Sequence, residues 1–258
     1  MTRKIAIANQ KGGVGKTTTV VNLGVALAHM QKKTLVVDMD PQGALSIGMG
    51  LDSYGLDRTI YTALMNQDLA VQEIVHPVQA YLDLIPANIE LAAAEIELIG
   101  EIRREFTLRR ILEPLEPWYD FVLFDCPPSL GLLTINALCA SHEVLIPMQC
   151  EYFAMRGLRL LLDSIEKVKA RLNPDLGLTG ILATMYSTGT VHASEVLEEL
   201  RSVFGEKVFD VVIYKSIRFA EASVASQAIV EYASKHKGAI AYAGLAKALI
   251  GAEAKTPA

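Results

Sequence analysis

The sequence predicts an α/β protein built on one mostly parallel, twisted sheet with helices on both faces. Three observations predict it. Short apolar runs rich in β-branched residues alternate with longer segments of helical period, four of those runs are apolar almost throughout, and the first run passes directly into a glycine-rich turn and a helical pattern. A strand covered on both faces has no solvent side, so its sequence is continuously apolar instead of alternating. Parallel neighbours then need right-handed crossovers, which the intervening helices supply. At 258 residues, one such unit accounts for 1–250, and the small, polar stretch 251–258 reads as a short tail.

Taken in order, strands are expected over 4–8, 34–38, 82–86, 120–125, 143–147, 178–186 and 208–213. Those containing IAIA, TLVVD, FVLFD and VLIP are the four continuous apolar runs. The clearest helix is 155–172, where Met155, Leu158, Leu161, Leu162, Ile165, Val168 and Leu172 recur at spacings of three and four. A last helix is expected over 239–250. It is Ala-rich with Lys247 its only charge, and the tail 251–258 has no bulky apolar residue, unlike a basic amphipathic helix lying on a membrane, so it is expected to pack on the core.

Composition excludes several classes. With 51% hydrophobic and 21% charged residues and no Gly-X-Y period, the chain is neither disordered nor collagen-like. Cys126, Cys139 and Cys150 are odd in number and form no C-x-x-C pair, and the five histidines are scattered. No disulfide framework or structural zinc is therefore expected, and a reducing compartment fits best. The apolar stretch behind Thr2-Arg3-Lys4 ends at Asn9, too short for a signal core, and no run reaches the roughly 18 apolar residues of a membrane span. A cytoplasmic protein without a membrane partner is expected. The net charge of −5 is unevenly placed: residues 1–150 hold 11 Lys and Arg against 17 Asp and Glu, and residues 151–258 hold 13 against 12.

The motif with the most chemistry is Lys11-Gly12-Gly13-Val14-Gly15-Lys16-Thr17-Thr18, between the first strand and the first helix. Strand, glycine-rich turn and helix N-terminus make a phosphate-binding loop. The glycines let backbone N–H groups point into one concavity, Lys16 meets the β- and γ-phosphates, and the Thr17 hydroxyl can ligate Mg²⁺. Gln10 stands where the usual spacing has its first glycine, and Lys11 opens the loop instead. Two lysines bracketing one turn repel each other unless an anion bridges them. Two carboxylate motifs, Asp38-Met39-Asp40-Pro41-Gln42-Gly43 and Asp125-Cys126-Pro127-Pro128-Ser129, end the second strand and the strand over 120–125. Ligands of open α/β sheets bind at such strand ends. A carboxylate there can also simply cap the following turn, an alternative that stands above all for Asp38.

On these residues the chain resembles the deviant Walker-A P-loop ATPases, the ParA/Soj/MinD group, with its K-G-G-x-x-K-[ST] hallmark. The resemblance extends through Thr134-Ile135-Asn136-Ala137-Leu138, the segment 147–154 and Thr184-Met185-Tyr186 to the chromosome and plasmid partition branch. It implies ATP and Mg²⁺ as cofactors, with residues 11–18 and Met185 binding nucleotide. Lys11 would reach the nucleotide of a partner subunit in an ATP-bound homodimer, Asp40 would position the attacking water, and Asp125 would hold Mg²⁺ through water. It further implies weak, partner-stimulated hydrolysis, non-specific binding of double-stranded DNA, a ParB-type centromere-binding partner and a place on the nucleoid. Arg218, in Ser216-Ile217-Arg218-Phe219-Ala220-Glu221-Ala222, matches a DNA-contacting arginine of that branch, and Lys215, Lys235 and Lys237 match nearby basic positions. Each lysine could equally be solvated surface. Gly189 replaces another DNA-contacting arginine, and Ile213-Tyr214-Lys215 replaces the Ile-Pro-Arg near the adenine. Competing readings are an ATPase positioning a protein cargo, a MinD-like membrane-positioning ATPase, and a reductase like the nitrogenase iron protein. The last needs iron–sulfur ligand cysteines in glycine-flanked loops, which the chain lacks.

Overall fold

The structure, a computed structural model, describes residues 2–66, 68–151, 154–187 and 191–253. Its strands are β1 (Arg3–Ile7), β2 (Thr34–Asp38), β3 (His76–Gln79), β4 (Leu82–Ile85), β5 (Phe121–Asp125), β6 (Glu143–Gln149), β7 (Gly177–Tyr186) and β8 (Val208–Tyr214). The helices are α1 (Lys16–His29), α2 (Ala44–Gly48), α3 (Ile60–Met65), α4 (Leu91–Glu97), α5 (Thr107–Leu112), α6 (Leu132–Ala140), α7 (Ala154–Arg171), α8 (Val191–Phe204), α9 (Ile217–Val224), α10 (Ile229–Tyr232) and α11 (Lys237–Glu253). All eight strands form one sheet, ordered β3-β4-β2-β5-β1-β6-β7-β8.

Neighbouring strands are parallel except β3, which runs antiparallel to β4 at one edge. That strand is absent from the expectations above. His-Pro-Val-Gln offers neither a continuous apolar run nor clean alternation, and Pro77 removes a ladder donor, which is tolerated on an edge. The pairing with β4 supplies what local sequence does not.

The central strands are buried on both sides, and alternate residues enter two different cores. In β5, Val122 and Phe124 pack into one, with Leu138, Ile146 and Leu161. Phe121 and Leu123 pack into the other, with Leu23, Leu27, Tyr242 and Leu245. The helix expected over 155–172 is α7, and Met155, Leu158, Leu161, Ile165 and Val168 are its buried stripe. The final helix is longer than expected, beginning at Lys237 and continuing to Glu253, three residues into the segment assigned to the tail. Tyr242, Leu245, Ala246 and Leu249 are fully buried, and the Tyr242 hydroxyl lies 3.2 Å from Thr19 Oγ1 on α1. An amphipathic surface helix would keep that face free. Among the described residues no helix is long and apolar enough to cross a membrane.

Because β1 lies between β5 and β6, the chain's direction of winding switches beside it. The loops after β1, β2 and β5 leave the carboxyl edge there, the usual ligand crevice of an open α/β sheet.

Candidate functional site

The glycine-rich turn takes the shape its residues allow. Gly13 (φ 72°) and Gly15 (φ 88°) are left-handed, a conformation costly for residues with a Cβ, and Gly15 serves as N-cap of α1. Two contacts fix the turn to the sheet. Thr184 Oγ1, on β7, donates to the Val14 carbonyl at 2.8 Å. Asn9, just past β1, donates through Nδ2 to the Pro147 carbonyl at 2.8 Å and accepts Lys11 N–H at 3.0 Å.

The two lysines face different ways. Lys16 is 7% exposed and its ammonium donates to the Lys11 carbonyl at 3.4 Å. Burial lowers its pKa, opposed by the carboxylates of Asp125 and Asp40. Lys11 is half exposed and ion-paired to Glu151, with Gln149 Oε1 at 3.4 Å. It points away from its own loop.

Asp38 and Asp125 are opposite one another in the β2–β5 register, and both are fully buried. Asp38 is tied into the protein. Its Oδ2 accepts Ser46 N–H at 2.9 Å and the Ser46 hydroxyl at 2.7 Å, and its Oδ1 accepts Asp40 N–H at 3.1 Å. The turn-capping alternative fits it. Burial outweighs those bonds and pushes its carboxyl up to about 7. Among the described residues, the Thr17 hydroxyl is the one side-chain donor that acts on the Asp125 carboxyl, and its geometry falls short of a well-formed hydrogen bond. Burial and the charge of Asp38 hold its pKa well above the carboxylate range, and the nearby Thr17 hydroxyl and Lys16 ammonium offset only part. A buried carboxylate so poorly supplied with hydrogen bonds is poised for a cation. Asp40 is partly exposed, and its Oδ1 accepts Gln42 N–H at 3.0 Å.

A second cluster lies at the carboxyl end of β8. Lys215 and Lys237 line a cavity of about 410 Å³ with Tyr186, Tyr214, Ser216 and His236, and the Lys237 ammonium sits 5.9 Å from the Tyr214 ring centre. Ser216 N-caps α9 by accepting Arg218 N–H at 3.2 Å and lies 3.2 Å from His236 Nε2, joining the start of α9 to the start of α11. Arg218 is exposed and pairs with Glu221 at 2.8 Å. Lys235 is exposed on the same connection. All four expected cations are therefore near one end of the sheet. Met185, at the end of β7, is left-handed (φ 50°) and exposed. Gly189 lies outside the described residues.

Residues 2–178 match the AAA domain family. The chain is 47% identical over 249 residues to the chromosome partitioning protein ParA of Myxococcus xanthus, covering 96% of this chain and 88% of that protein. It is 46% identical over 247 residues to the sporulation initiation inhibitor protein Soj of Bacillus subtilis, covering 96% and 98%. The chain belongs to the ParA/Soj family of P-loop ATPases. Among solved structures, a Mycobacterium smegmatis protein described as cobyrinic acid a,c-diamide synthase, with bound ADP and magnesium, superposes at a TM-score of 0.87 and 39% identity, covering 99% of this chain and 96% of that one.

For a ParA/Soj-family chain the donor set suits Mg²⁺. Among the described residues no three His, Cys, Asp or Glu side chains could hold a metal by themselves. Thr17 directly and Asp125 through water would hold the ion together with nucleotide phosphates, as Mg²⁺ prefers few carboxylates and keeps water and phosphate oxygens. Asn9, Thr184 and Glu151 are functional neighbours without an assigned role in the sequence reading. Their bonds span 138, 170 and 140 residues, so although Thr184 and Glu151 lie in segments that carry the family resemblance, nothing local tells what they touch.

The Asp38 carboxyl gives a pH-dependent stability. Its folded value, about 7, lies above the ordinary 3.8, so the folded state holds a proton that the unfolded chain releases. This contribution is complete below about pH 4 and is lost as pH rises through about 7. With EDTA and no nucleotide, the melting temperature should fall between pH 5 and 8 by several degrees more in wild type than in Asp38→Asn. Parallel curves would remove Asp38 as the source.

Proposed function

We propose that this chain is a Mg²⁺-dependent ATPase that forms an ATP-bound homodimer, binds double-stranded DNA without sequence preference, and segregates a chromosome or plasmid with a ParB-type partner on the nucleoid. The observation that carries the reading is the opposed placement of the two loop lysines. Lys16 is turned inward beside Asp125, where it would meet phosphate oxygens. Lys11 is held outward on Glu151, where it would reach a nucleotide bound by another subunit.

Bound Mg²⁺ would supply positive charge next to the β- and γ-phosphate oxygens. The chain's own groups do the rest. Backbone N–H groups of 12–18 and the start of α1 cradle the phosphates. Lys16, and Lys11 from the other subunit, offset charge on the transferring group. Asp40, at the rim and partly exposed, orients the attacking water and takes up its proton.

DNA binding follows from the cluster around Arg218. Residues 151–258 carry a net charge of only +1, so one copy offers few phosphate contacts, while two copies joined by ATP double the number and raise the effective concentration of the second patch. DNA retention should therefore require ATP and fall steeply with salt.

The deciding experiment is light scattering with ATP and Mg²⁺. Wild type should shift from monomer to dimer, and Lys11→Ala should remain monomeric while still binding nucleotide. A wild-type protein that stays monomeric, or a Lys11→Ala protein that dimerises normally, rules the reading out.

A further inference from the structure

The segment that follows β4 has apolar residues on two faces. From Asn88, whose Oδ1 accepts Glu90 N–H at 3.1 Å, the chain turns into α4 and continues through a 3-10 turn, Leu98–Gly100. Leu91, Ala94 and Leu98 form the inner face and are fully buried. A second stripe, Ile89 in the turn before α4, Ala92 and Ile96 on α4, and Ile99 in the 3-10 turn, is spaced at three, four and three residues. Such spacing keeps side chains on one face of a helix and is the repeat by which one helix packs along another. That stripe is uncovered: Ile89 is 57%, Ile96 73% and Ile99 59% exposed, and Ile102 just beyond is 89% exposed. Isolated exposed isoleucines are ordinary, but four within 14 residues, three of them at heptad spacing, form a contact surface.

The charges beside the stripe choose the occupant. Glu90 and Glu97, seven residues apart, and Glu101 just past the 3-10 turn are exposed beside it, and Glu97 is the acceptor of the Tyr61 hydroxyl at 3.2 Å. Arg104, which donates to the Ile99 carbonyl at 2.5 Å, is paired with Glu105, so with the exposed Arg103 the carboxylates remain in excess. A second copy of α4 laid on this face would set these carboxylates together. An anionic bilayer surface would be repelled. A helix with apolar residues at matching positions and Lys or Arg flanking them satisfies both the stripe and the carboxylates.

We propose that the outer face of α4 and its 3-10 extension is a docking surface for a cationic amphipathic helix of another protein. The geometry also gives such a partner access to both carboxylate loops. Ala87, just before α4, donates its N–H to Ser46 Oγ at 3.1 Å, the hydroxyl bound to Asp38. Glu95 of α4 accepts Leu133 N–H at 3.4 Å, beyond the Asp125 loop. The inference concerns this surface and stands apart from the identity of any partition partner.

The test uses the full chain and a designed 21-residue helical peptide with leucines at heptad a and d positions and lysines at e and g, its glutamate-flanked twin serving as control. Fluorescence anisotropy should show the cationic peptide binding wild type, with affinity falling at least tenfold in Ile96→Ser/Ile99→Ser and in Glu97→Lys/Glu101→Lys. The charge-reversed variant should gain binding to the glutamate-flanked peptide. All three proteins should keep the same basal ATP turnover and the same ATP-dependent mass by light scattering. Equal peptide binding by wild type and both variants would overturn the proposal. So would loss of ATP-dependent dimerisation in the isoleucine variant, which would make the face a contact between copies of this chain. Binding of wild type, but not the isoleucine variant, to phosphatidylglycerol vesicles would overturn it in favour of a bilayer.

Discussion

Lys16→Ala should lower ATP turnover by about two to three orders of magnitude, the usual loss when one fixed donor to a transferring charged group is removed. Lys16 is the charged group built deepest into the loop, at the first position of α1 and 7% exposed. Burial lowers its pKa, and Asp125 and Asp40 oppose that shift, so the ammonium and the carboxylates support one another electrostatically. Its only direct hydrogen bond in the described residues is the long one to the Lys11 carbonyl, which leaves donors for a ligand. Removing the side chain should leave the fold standing, because α1 is held by Leu23, Leu27 and their contacts in the core. Phosphate release and nucleotide binding, measured beside a circular dichroism melt, check this. Turnover within threefold of wild type would remove Lys16 from the phosphate site.

Asp40→Ala should separate binding from chemistry. On the proposed function the variant still forms the ATP-bound dimer, but its hydrolysis falls by about two to four orders of magnitude, as when a positioned base is lost. The expected product is a long-lived dimer that stays on DNA. Asp40 also organises its own turn through Gln42 N–H and, by its carbonyl, through Gly43 N–H at 2.9 Å. Asp40→Asn keeps an acceptor for Gln42 and so distinguishes the two effects. If asparagine restores hydrolysis, the carboxylate serves the turn; if both variants are slow and both dimerise, it serves the water. Scattering and single-turnover phosphate release read the two quantities independently.

Much of this was legible locally. The central strands are read from the sequence because burial on both faces leaves a continuous apolar run, and the phosphate loop because left-handed turns at Gly13 and Gly15 and a lysine at a helix start are short-range requirements. β3 was not legible, because it is strand by virtue of its partner. The separation of Asp38 from Asp125 was not legible either: both are aspartates at the ends of apolar strands, and Ser46, eight residues beyond Asp38, anchors one while no comparable donor reaches the carboxylate of the other among the described residues.

The sequence by itself determined the parallel strands of the sheet, the phosphate loop and the family, because each is written in residues close together along the chain. Only the tertiary structure decided that Lys11 lies outward on Glu151, that Asp125 is the carboxylate poorly supplied with hydrogen bonds, that α11 spends its apolar face on α1, and that the second apolar stripe of α4 is left open. Each depends on which distant segment lies alongside, and a pattern along one segment records that it needs a partner without recording which partner it finds.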